Sequence, residues 1–328
     1  MDNFAKYALA AGGTIRPLII PAALTGGTGL MNPSIFNDNG KIIAVVRHVN
    51  YTFYHSEKKI FLHPWGPLTY LHPENDLHLR TRNFYCELND ALEITLHKEI
   101  DMSHGDSQYT PVWEFRGLED ARIFRWDGKL FISGVRRDVK PNGEGRMELC
   151  EIDSDAKEIS RFRIPPPNDP NSYCEKNWMP VIDMPYHYVK WTAPTELVHV
   201  DPSRQSCATV KLVDNNPSIR RDIRGGTQII PIGKGLRMAM THEVDLFKSE
   251  VGRKDAVYHH RFVVWDQDWN IVKFSKEFWM MDGQVEFGVG MCADNDPKNL
   301  LITFGFQDNA AFVLRVPLQA VLNSIDAP

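Results

Sequence analysis

Short apolar runs that stop at turn-forming residues recur along the whole chain, whereas helical periodicity is scarce. The clearest runs, each bounded by Gly, Asn, Asp or Pro, cover residues 41–47, 130–135, 236–241, 258–265 and 300–304. Runs of this kind, rich in β-branched and aromatic residues, are typical of β-strands. The connections Asn39-Gly40 and Asp127-Gly128 favour tight hairpins, because glycine adopts positive φ without a steric penalty. The pattern therefore predicts an all-β protein.

One unit repeats along this strand pattern: a polar or small opening, an apolar strand, a tight turn and a second apolar strand. Its copies begin near residues 32, 118, 176, 226 and 287. Repetition at an interval of roughly 50–60 residues indicates an array of one supersecondary unit. A repeated hairpin with outer strands predicts a five-bladed β-propeller, formed as a single domain by residues 1–328. In a propeller the same end of every inner strand points at one central funnel, so distant residues meet there.

The interval between the first two copies is the longest. Residues 51–113, which are rich in His, Asn and Asp, are therefore predicted to be an insertion in the first blade that overhangs the funnel. Helix signals are confined to residues 316–323 and to the region 78–97. The proline-rich segment 165–170 is predicted to be a surface loop between blades, because proline lacks the donor that an inner strand needs.

Composition and charge exclude several classes of protein. The net charge of −5 is spread along the chain, and no basic run or basic–aromatic pattern indicates nucleic-acid binding. No apolar stretch reaches the roughly 18 residues that a membrane span needs. The start of the chain is a poor signal peptide, since its apolar part is short and follows an acidic residue.

Cysteine and histidine usage points to neither disulfides nor metal. The five cysteines have no CxxC spacing, which predicts reduced thiols in a cytoplasmic protein. The pair His259-His260 lacks a third ligand at metal spacing, so we expect it to be structural and the protein to need no metal. The sequence leaves the oligomeric state open and is compatible with a homo-oligomer.

Polar residues stand where the inner hairpins begin or end, which is the part of a propeller that faces the funnel. These candidate site residues are Asn32, Arg47, Glu119, Asp120, Arg122, Lys176, Asn177, Thr227, His242, Glu243 and Asp308. Carboxylates, cations and amides in one pocket suit a polyhydroxylated, partly anionic ligand. Trp113 or Trp178 could present an apolar face to a sugar ring.

A structural interpretation remains open for each of these residues taken alone. Glu119, Asp120 and Arg122 could form a local ion-pair turn between blades. His242 ends an apolar strand, which is the usual setting of a structural histidine, and Asp308 precedes an asparagine, where aspartate commonly caps a turn. Their equivalent positions within the repeat favour the functional interpretation.

Five segments resemble the β-mannoside phosphorylases of glycoside hydrolase family 130 and the related mannosyltransferases. The segments are MNPSIF followed by VVR, GLEDARIF followed by WDGKLFI, EKNWMPV, AMTHEV and LLITFGFQDNAAFVLRVPLQAVL, in the family's order. Together they span most of the chain from Asn32 onward. The resemblance implies the same five-bladed propeller and a carbohydrate-active enzyme.

The resemblance also implies roles for individual residues. Asp120 matches the aspartate of the family's Glu-Asp-Pro-Arg motif, which acts as the catalytic acid, although Ala121 replaces the proline here. The implied substrate-binding residues, of which Asn32, Arg47 and Asp308 would hold the sugar at the scissile end, are Asn32, Arg47, Glu119, Arg122, Asn177 and Asp308. The implied ligands of phosphate or another anion are Lys176 and His242. The family's phosphate-binding arginine has no clear match, and the candidates are Arg161, Arg163 and Arg224.

We therefore expect an inverting enzyme that makes or breaks β-mannosidic or similar β-hexoside bonds, with Asp120 as general acid or base. Its partners would be a sugar or oligosaccharide and, as co-substrate, inorganic phosphate or a sugar nucleotide, with no other cofactor. One alternative is an inverting glycoside hydrolase, in which Glu243 or Asp308 activates water. Another is a non-catalytic carbohydrate-binding propeller.

Overall fold

Strands dominate the structure, a computed structural model that describes residues 3–27, 29–53, 70–71, 78–215, 223–248 and 254–326. The first elements are α1 (Phe4–Ala10), β1 (Thr14–Pro17), α2 (Ala22–Thr25), β2 (Leu30–Asp38), β3 (Lys41–Val49), β4 (Thr52–Phe53), β5 (Tyr70–Leu71), β6 (Leu79–Leu88) and β7 (Ile94–Glu99). Next come α3 (Ser103–Asp106), β8 (Phe115–Arg116), β9 (Leu118–Trp126), β10 (Lys129–Arg136), β11 (Arg146–Ile152), β12 (Glu158–Arg163), β13 (Met179–Pro180), β14 (His187–Trp191), β15 (Thr195–Asp201) and β16 (Ser206–Val213). The last are β17 (Ile230–Gly233), β18 (Leu236–Lys248), β19 (Lys254–Trp265), β20 (Ile271–Phe274), β21 (Glu286–Ala293), β22 (Asn299–Phe306), β23 (Ala310–Pro317) and α4 (Leu318–Asp326).

These strands form the five blades of a β-propeller, as the repeat predicts. From the inner strand outward, the blades are β2-β3-β6-β7, β9-β10-β11-β12, β13-β14-β15-β16, β17-β18-β19-β20 and β21-β22-β23-β1. Neighbouring strands within every blade are antiparallel, and β8 adds a short parallel partner to β6. Each of five apolar clusters fills one interface between adjacent blades.

Position within a blade explains the sequence pattern of each strand. The second strands, such as β3 and β10, are buried almost throughout and carry continuous apolar runs, because neighbouring blades cover both of their faces. The outermost strand β16 instead alternates between exposed and half-buried positions. This alternation is expected for an edge strand with one face toward solvent.

The fifth blade is completed by the start of the described chain. Strand β1 pairs antiparallel with β23, with Thr14 opposite Arg315. The preceding helix α1 inserts Phe4 between the fourth and fifth blades, where its ring stacks on Phe278 with 4.8 Å between centroids. The Tyr7 hydroxyl donates a 2.9 Å hydrogen bond to the carbonyl of Ala320 in α4. The ring is thereby closed by pairing between segments far apart in sequence.

Two of the smaller sequence predictions concern helices. The helix predicted at 316–323 is confirmed as α4. The helix predicted within 78–97 is wrong, because this region forms β6 and β7, whose buried side chains Phe84 and Cys86 pack in the apolar cluster between the fifth and first blades. Residues 79–99 therefore belong to the first blade itself rather than to an insertion.

Part of the predicted insertion, residues 54–69 and 72–77, lies outside the described residues. The described remainder includes β4 and β5, which pair with each other. The proline-rich segment 165–170 lies between β12 and β13, and thus connects the second blade to the third as expected. None of the five cysteines forms a disulfide.

The described residues contain neither a membrane-spanning helix nor a cluster of metal ligands. No described helix has the length and apolar character required to cross a bilayer. Within the same residues, no group of three or more His, Cys, Asp and Glu side chains is arranged to hold a metal ion.

Gln228 lies at the centre of the ring and is completely buried. Its amide nitrogen donates to the Ser34 hydroxyl at 3.1 Å, the Ile35 carbonyl at 3.0 Å and the Ile123 carbonyl at 2.8 Å. Its amide oxygen accepts from the backbone N–H of Met291 at 3.1 Å. One side chain thus joins the first, second, fourth and fifth blades, directly beyond the inner-strand positions that carry the candidate site.

Candidate functional site

Two β-bulges turn side chains of the first and second blades toward each other. The pairing of β2 with β3 shifts between Met31 and Ser34, and the pairing of β9 with β10 shifts opposite the segment that contains Asp120. At these bulges Asn32 and Asp120 adopt left-handed backbone conformations, with φ of 44° and 51°. Bulges commonly re-aim a side chain, and Asn and Asp are among the few residues that tolerate positive φ. As a result the Asn32 amide donates a 2.8 Å hydrogen bond to Oδ1 of Asp120.

Arg47, at the end of β3, neutralises this carboxylate. Its Nη1 lies 2.7 Å from Oδ1 of Asp120, and its Nη2 lies 3.6 Å from a carboxylate oxygen of Glu119. The rest of the guanidinium is held by the hydroxyls of Tyr51, at 3.1 Å, and Thr81, at 3.2 and 3.3 Å. Arg47 is 5% exposed, so its orientation is fixed by these contacts.

The carboxyl groups of the site have different pKa values because their partners differ. Burial favours the neutral form of Asp120, but the Arg47 and Arg122 guanidiniums and the hydrogen bonds to its carboxylate bring its pKa below the ordinary value. Burial raises the pKa of the neighbouring Glu119, and Arg47 offsets this only in part. Burial also raises the pKa of Asp308 to about 6, with the Asp120 charge adding to the shift and Arg47 opposing it.

Cationic and aromatic groups lie near these carboxylates. The exposed Lys176 ammonium is close enough to lower the pKa of both Glu119 and His242. Burial lowers the pKa of His242 most, and the nearby Arg224 adds to the effect, so the imidazole is neutral. Backbone hydrogen bonds of 2.8 and 3.0 Å join Arg224 to His242. The His242 ring stacks on Tyr258, with centroids 5.6 Å apart and planes 10° apart.

Several polar atoms at the site have no hydrogen-bond partner among the described residues although they are buried. Such atoms are costly in a folded protein and commonly mark a place where a ligand or water binds. They are Oδ1 of Asn32, Oε1 of Glu119, Oδ1 of Asn177 and Nδ1 of His242. They belong to four of the residues that the sequence predicts to bind substrate or anion.

The structure brings together most of the predicted set through hydrogen bonds, ion pairs or direct electrostatic influence. This group comprises Asn32, Arg47, Glu119, Asp120, Lys176, His242 and Asp308. Asn177 follows Lys176 directly and has a positive φ of 61°. Of the three arginines considered for anion binding, Arg224 lies beside His242, whereas Arg161 and Arg163 pair with carboxylates of the second blade, Glu158 and Glu148.

Arg122 has a different role from the substrate-binding one predicted. Its side chain is 1% exposed, and its Nε and Nη2 donate to the carbonyl of Gly226 at 3.0 and 2.8 Å. Its Nη1 donates to the backbone carbonyl of Asp120 at 2.7 Å. Arg122 therefore holds the backbone of the Asp120 bulge in place, and its guanidinium does not face the funnel.

Three further predictions for the funnel are wrong for related reasons. Trp178 offers no face to a sugar, since it is 1% exposed within the cluster between the second and third blades. Glu243 is buried and paired with Arg261, so it is not placed to activate water beside Asp120. The Thr227 hydroxyl donates to the backbone carbonyl of Gln228 and accepts from the backbone N–H of Met240, so it is not available to a ligand.

His260 is buried and accepts a 3.2 Å hydrogen bond from the N–H of Gly288, which agrees with a structural role.

Sequence reasoning missed three residues that line the site. Tyr51 and Thr81 hold Arg47, and both fall in the segment interpreted as an insertion. Tyr258 stacks on His242 and lies close enough to Asp308 and Asp120 for their charges to raise its pKa, together with burial, which is the largest cause. Nothing in the sequence indicated that Tyr258 reaches the funnel. It lies at the start of an apolar run on β19, the third strand of the fourth blade, whereas the predicted site residues were sought on the inner hairpins.

Comparisons with known proteins identify relatives by structure alone. No family model and no curated protein sequence matches the chain. A β-1,2-mannobiose phosphorylase from Listeria innocua superposes with a TM-score of 0.58 at 12% identity, covering 95% of this chain and 96% of that one. A mannose phosphorylase from Leishmania mexicana, solved with phosphate ion, gives a TM-score of 0.55 at 11% identity, with 96% and 92% covered.

A third similar structure is a GDP-Man-dependent mannosyltransferase from Leishmania mexicana. Its TM-score is 0.57 at 13% identity, and the match covers 93% of this chain and 90% of that one. At these identities the likeness shows a shared fold. The chain therefore has the same five-bladed architecture as several carbohydrate-active proteins, along almost its full length.

Proposed function

We propose that the chain is an inverting glycosyl-transfer enzyme that makes or breaks β-mannosidic or similar β-hexoside bonds, with Asp120 as the proton-transferring group. The observation that carries the proposal is the Asp120 carboxylate, aimed into the funnel by a strained bulge and held by Asn32 and Arg47 of the neighbouring blade. Backbone strain and charge concentrated at one cleft are typical of functional sites. The fold shared with mannose-active phosphorylases and a mannosyltransferase supports the same conclusion.

The lowered pKa of Asp120 suits the synthetic direction of such a reaction. In that direction an acceptor hydroxyl bonds to the anomeric carbon and gives its proton to Asp120, while the leaving group departs from the opposite face of the ring. In the degradative direction Asp120 carries the proton and passes it to the leaving oxygen. Either way the anomeric configuration inverts, because the attacking and departing groups lie on opposite faces.

The leaving or attacking anion would bind on the far side of the funnel. Lys176 is exposed there, Arg224 lies beside His242, and the neutral His242 has an unpartnered ring nitrogen within the described residues. Cation–oxyanion hydrogen bonds are roughly twice as strong as neutral ones. This cluster fits inorganic phosphate or the diphosphate of a sugar nucleotide, which we propose as the co-substrate.

A product analysis tests this proposal directly. The protein is incubated with β-mannosides with and without phosphate, and in parallel with GDP-mannose or mannose 1-phosphate and an acceptor sugar. We expect either a sugar 1-phosphate that appears only with phosphate, or a β-linked product from one of the two donors. Proton NMR during the reaction should show inversion. Binding of saccharide without any turnover would instead support a carbohydrate-binding propeller.

A hydrolase is the second candidate, and Asp308 is the observation that favours it. The Asp308 carboxyl shares the funnel with Asp120 and has a pKa of about 6, so it is largely ionised at neutral pH and could activate water. Hydrolysis would release free sugar at the same rate with and without phosphate. That outcome would replace the transferase assignment while keeping the two carboxyl groups in place.

The raised pKa of Asp308 predicts how stability depends on pH. An unfolded aspartate has a pKa near 3.9, so between about pH 4 and 6 the folded protein binds more protons than the unfolded chain, and stability falls as pH rises. Asp308→Asn removes this penalty. We expect it to match the wild type near pH 4 and to be more stable by up to about 3 kcal/mol above pH 6. Urea denaturation across this range measures the difference.

Asp201 provides a control of opposite sign. Its pKa is lowered by hydrogen bonds from Ser203, so its stabilising contribution is present above pH 4 and is lost in acid. Relative to the wild type, Asp201→Asn should therefore become less stable as pH rises, whereas Asp308→Asn should become more stable. If the free energies of unfolding of Asp308→Asn and the wild type changed with pH in the same way, the folded protein would not raise the pKa of Asp308.

A further inference from the structure

A second cavity opens beside the funnel, between the first and second blades. It has a volume of about 410 Å³, and we call it the rim pocket. Its lining includes Thr81, Asn83, Glu99, Asp101, Met102 and Arg136. The volume falls within the range of about 300–1,000 Å³ that is usual for small-molecule sites.

The rim pocket adjoins the candidate site and shares structure with it. Thr81 lines the pocket and also accepts hydrogen bonds from Arg47. Leu118, another lining residue, immediately precedes Glu119 on the inner strand β9. The pocket therefore lies on the same face of the propeller as the funnel, displaced outward toward the third and fourth strands of the first blade.

The charges of the lining largely cancel one another. Arg82 pairs with Glu99 at 3.1 Å, and Arg136 pairs with Asp106 at 2.7 Å and with Asp138 at 2.6 Å. A strongly anionic ligand would be repelled by the carboxylates, and a strongly cationic one by the guanidiniums. The pairing favours a neutral ligand with many hydrogen-bonding groups.

Two acceptors in the pocket remain for such a ligand. Asn83 is 3% exposed, and its amide nitrogen donates to the Leu118 carbonyl at 2.9 Å, which fixes the orientation of the amide. Its amide oxygen has no hydrogen-bond partner in the described part of the chain. Asp101 is exposed, and its carboxylate accepts from the backbone N–H of Ser103 at 3.0 Å, which leaves lone pairs free. Hydroxyl groups are the donors that match both.

We propose that the rim pocket is a saccharide subsite, which binds a hexose unit of the same chain whose reacting end lies in the funnel. The inference rests on the proposed function for the identity of the ligand. Ring hydroxyls would donate to Asn83 and Asp101, and the half-buried side chain of Met102 would contact the ring carbons. An oligosaccharide long enough to occupy both places gains affinity over a short one.

Calorimetric titration tests this subsite. The probes are a β-linked mannotetraose and the corresponding disaccharide, both titrated into the Asp120→Asn protein so that turnover does not interfere. We expect the tetrasaccharide to bind more tightly than the disaccharide, and the ratio of the two affinities to fall about tenfold in Asp101→Ala and in Asn83→Ala. Asp101 is exposed, so its variant is expected to fold even if Asn83→Ala does not.

A matched control comes from the third blade. Asp201 is the last residue of β15, and Asp101 lies two residues after β7. Each carboxylate accepts a hydrogen bond from the backbone N–H of the serine two residues later, Ser203 and Ser103 respectively. Asp201→Ala should leave the affinity ratio unchanged. An unchanged ratio in Asp101→Ala, or an equal fall in Asp201→Ala, would overturn the proposal.

The results also separate this inference from the proposed function. If tetrasaccharide binding depends on Asp101 but the wild type turns over no donor, the subsite proposal stands and the proposed catalysis is wrong. If the wild type turns over a donor but the affinity ratio is unchanged in Asp101→Ala, only the subsite proposal is wrong. Binding of neither saccharide would reject the rim pocket as a mannoside subsite, whereas the product analysis with the different donors decides the proposed function.

Discussion

Replacing Asp120 with Asn is expected to lower turnover by about 10²–10⁴-fold, the usual contribution of a general acid or base. Asparagine keeps the size of the side chain and an oxygen that can accept from Asn32 and Arg47 at the same bulge, and it tolerates the φ of 51°. What it loses is the capacity to take and return a proton. The measurement is the rate of product formation with whichever donor the screen identifies, at saturating acceptor.

The second blade offers a matched control for this variant. Asp127 is exposed, has a φ of 47° and lies at the opposite end of the same hairpin, so Asp127→Asn makes the same chemical change away from the funnel. It should leave the rate unchanged. Circular dichroism and thermal denaturation should show that both variants are folded. Full activity in Asp120→Asn would remove Asp120 from the reaction and leave Glu119 and Asp308 as the carboxyl candidates at the site.

Replacing Gln228 with Met is expected to destabilise the protein by roughly 3–5 kcal/mol. The side chain is fully buried. Its replacement removes the hydrogen bonds that the amide makes to the carbonyls of Ile35 and Ile123 and to the N–H of Met291. Each buried polar group that loses its partner costs about 1–3 kcal/mol. Methionine fills a similar volume, so the lost hydrogen bonds dominate over any cavity.

Urea denaturation of Gln228→Met measures this effect, with Gln319→Met as control. Gln319 is exposed on α4, where its amide donates to Asn323, and methionine is as good a helix former as glutamine. The control should change the free energy of unfolding by less than about 0.5 kcal/mol. If both variants were equally stable, Gln228 would not be what joins the blades at the axis.

The sequence predicted the meeting of Asp120 with Arg47 because both stand at the funnel end of an inner hairpin. It did not predict what Arg122 does. In a regular strand residues two apart share a face, which would place Arg122 beside the Asp120 side chain. The bulge breaks that alternation, so Asp120 turns to the funnel and Arg122 binds backbone carbonyls. A local change of register is set by tertiary packing and leaves little trace in composition.

The errors at Trp178 and in the region 78–97 have the same origin. Trp178 follows Asn177, whose positive φ redirects the chain, and the indole enters the interface between blades. Residues 79–99 pair as the third and fourth strands of the first blade, and this pairing depends on β3, which lies outside the segment's own sequence. Gln228 resembled an ordinary strand residue, since nothing local distinguishes a glutamine that satisfies backbone groups of three other blades.

The joining of β1 to β23 has a consequence for how the chain is made. Thr14 pairs with Arg315, so β1, the outer strand of the last sheet, is made early but has no partner until β23 has left the ribosome. Closing so long a loop costs entropy that only the finished contacts offset. Nascent chains arrested before β23 should thus carry an open, protease-sensitive arc with α1 undocked, and resistance should appear abruptly once the final strand emerges.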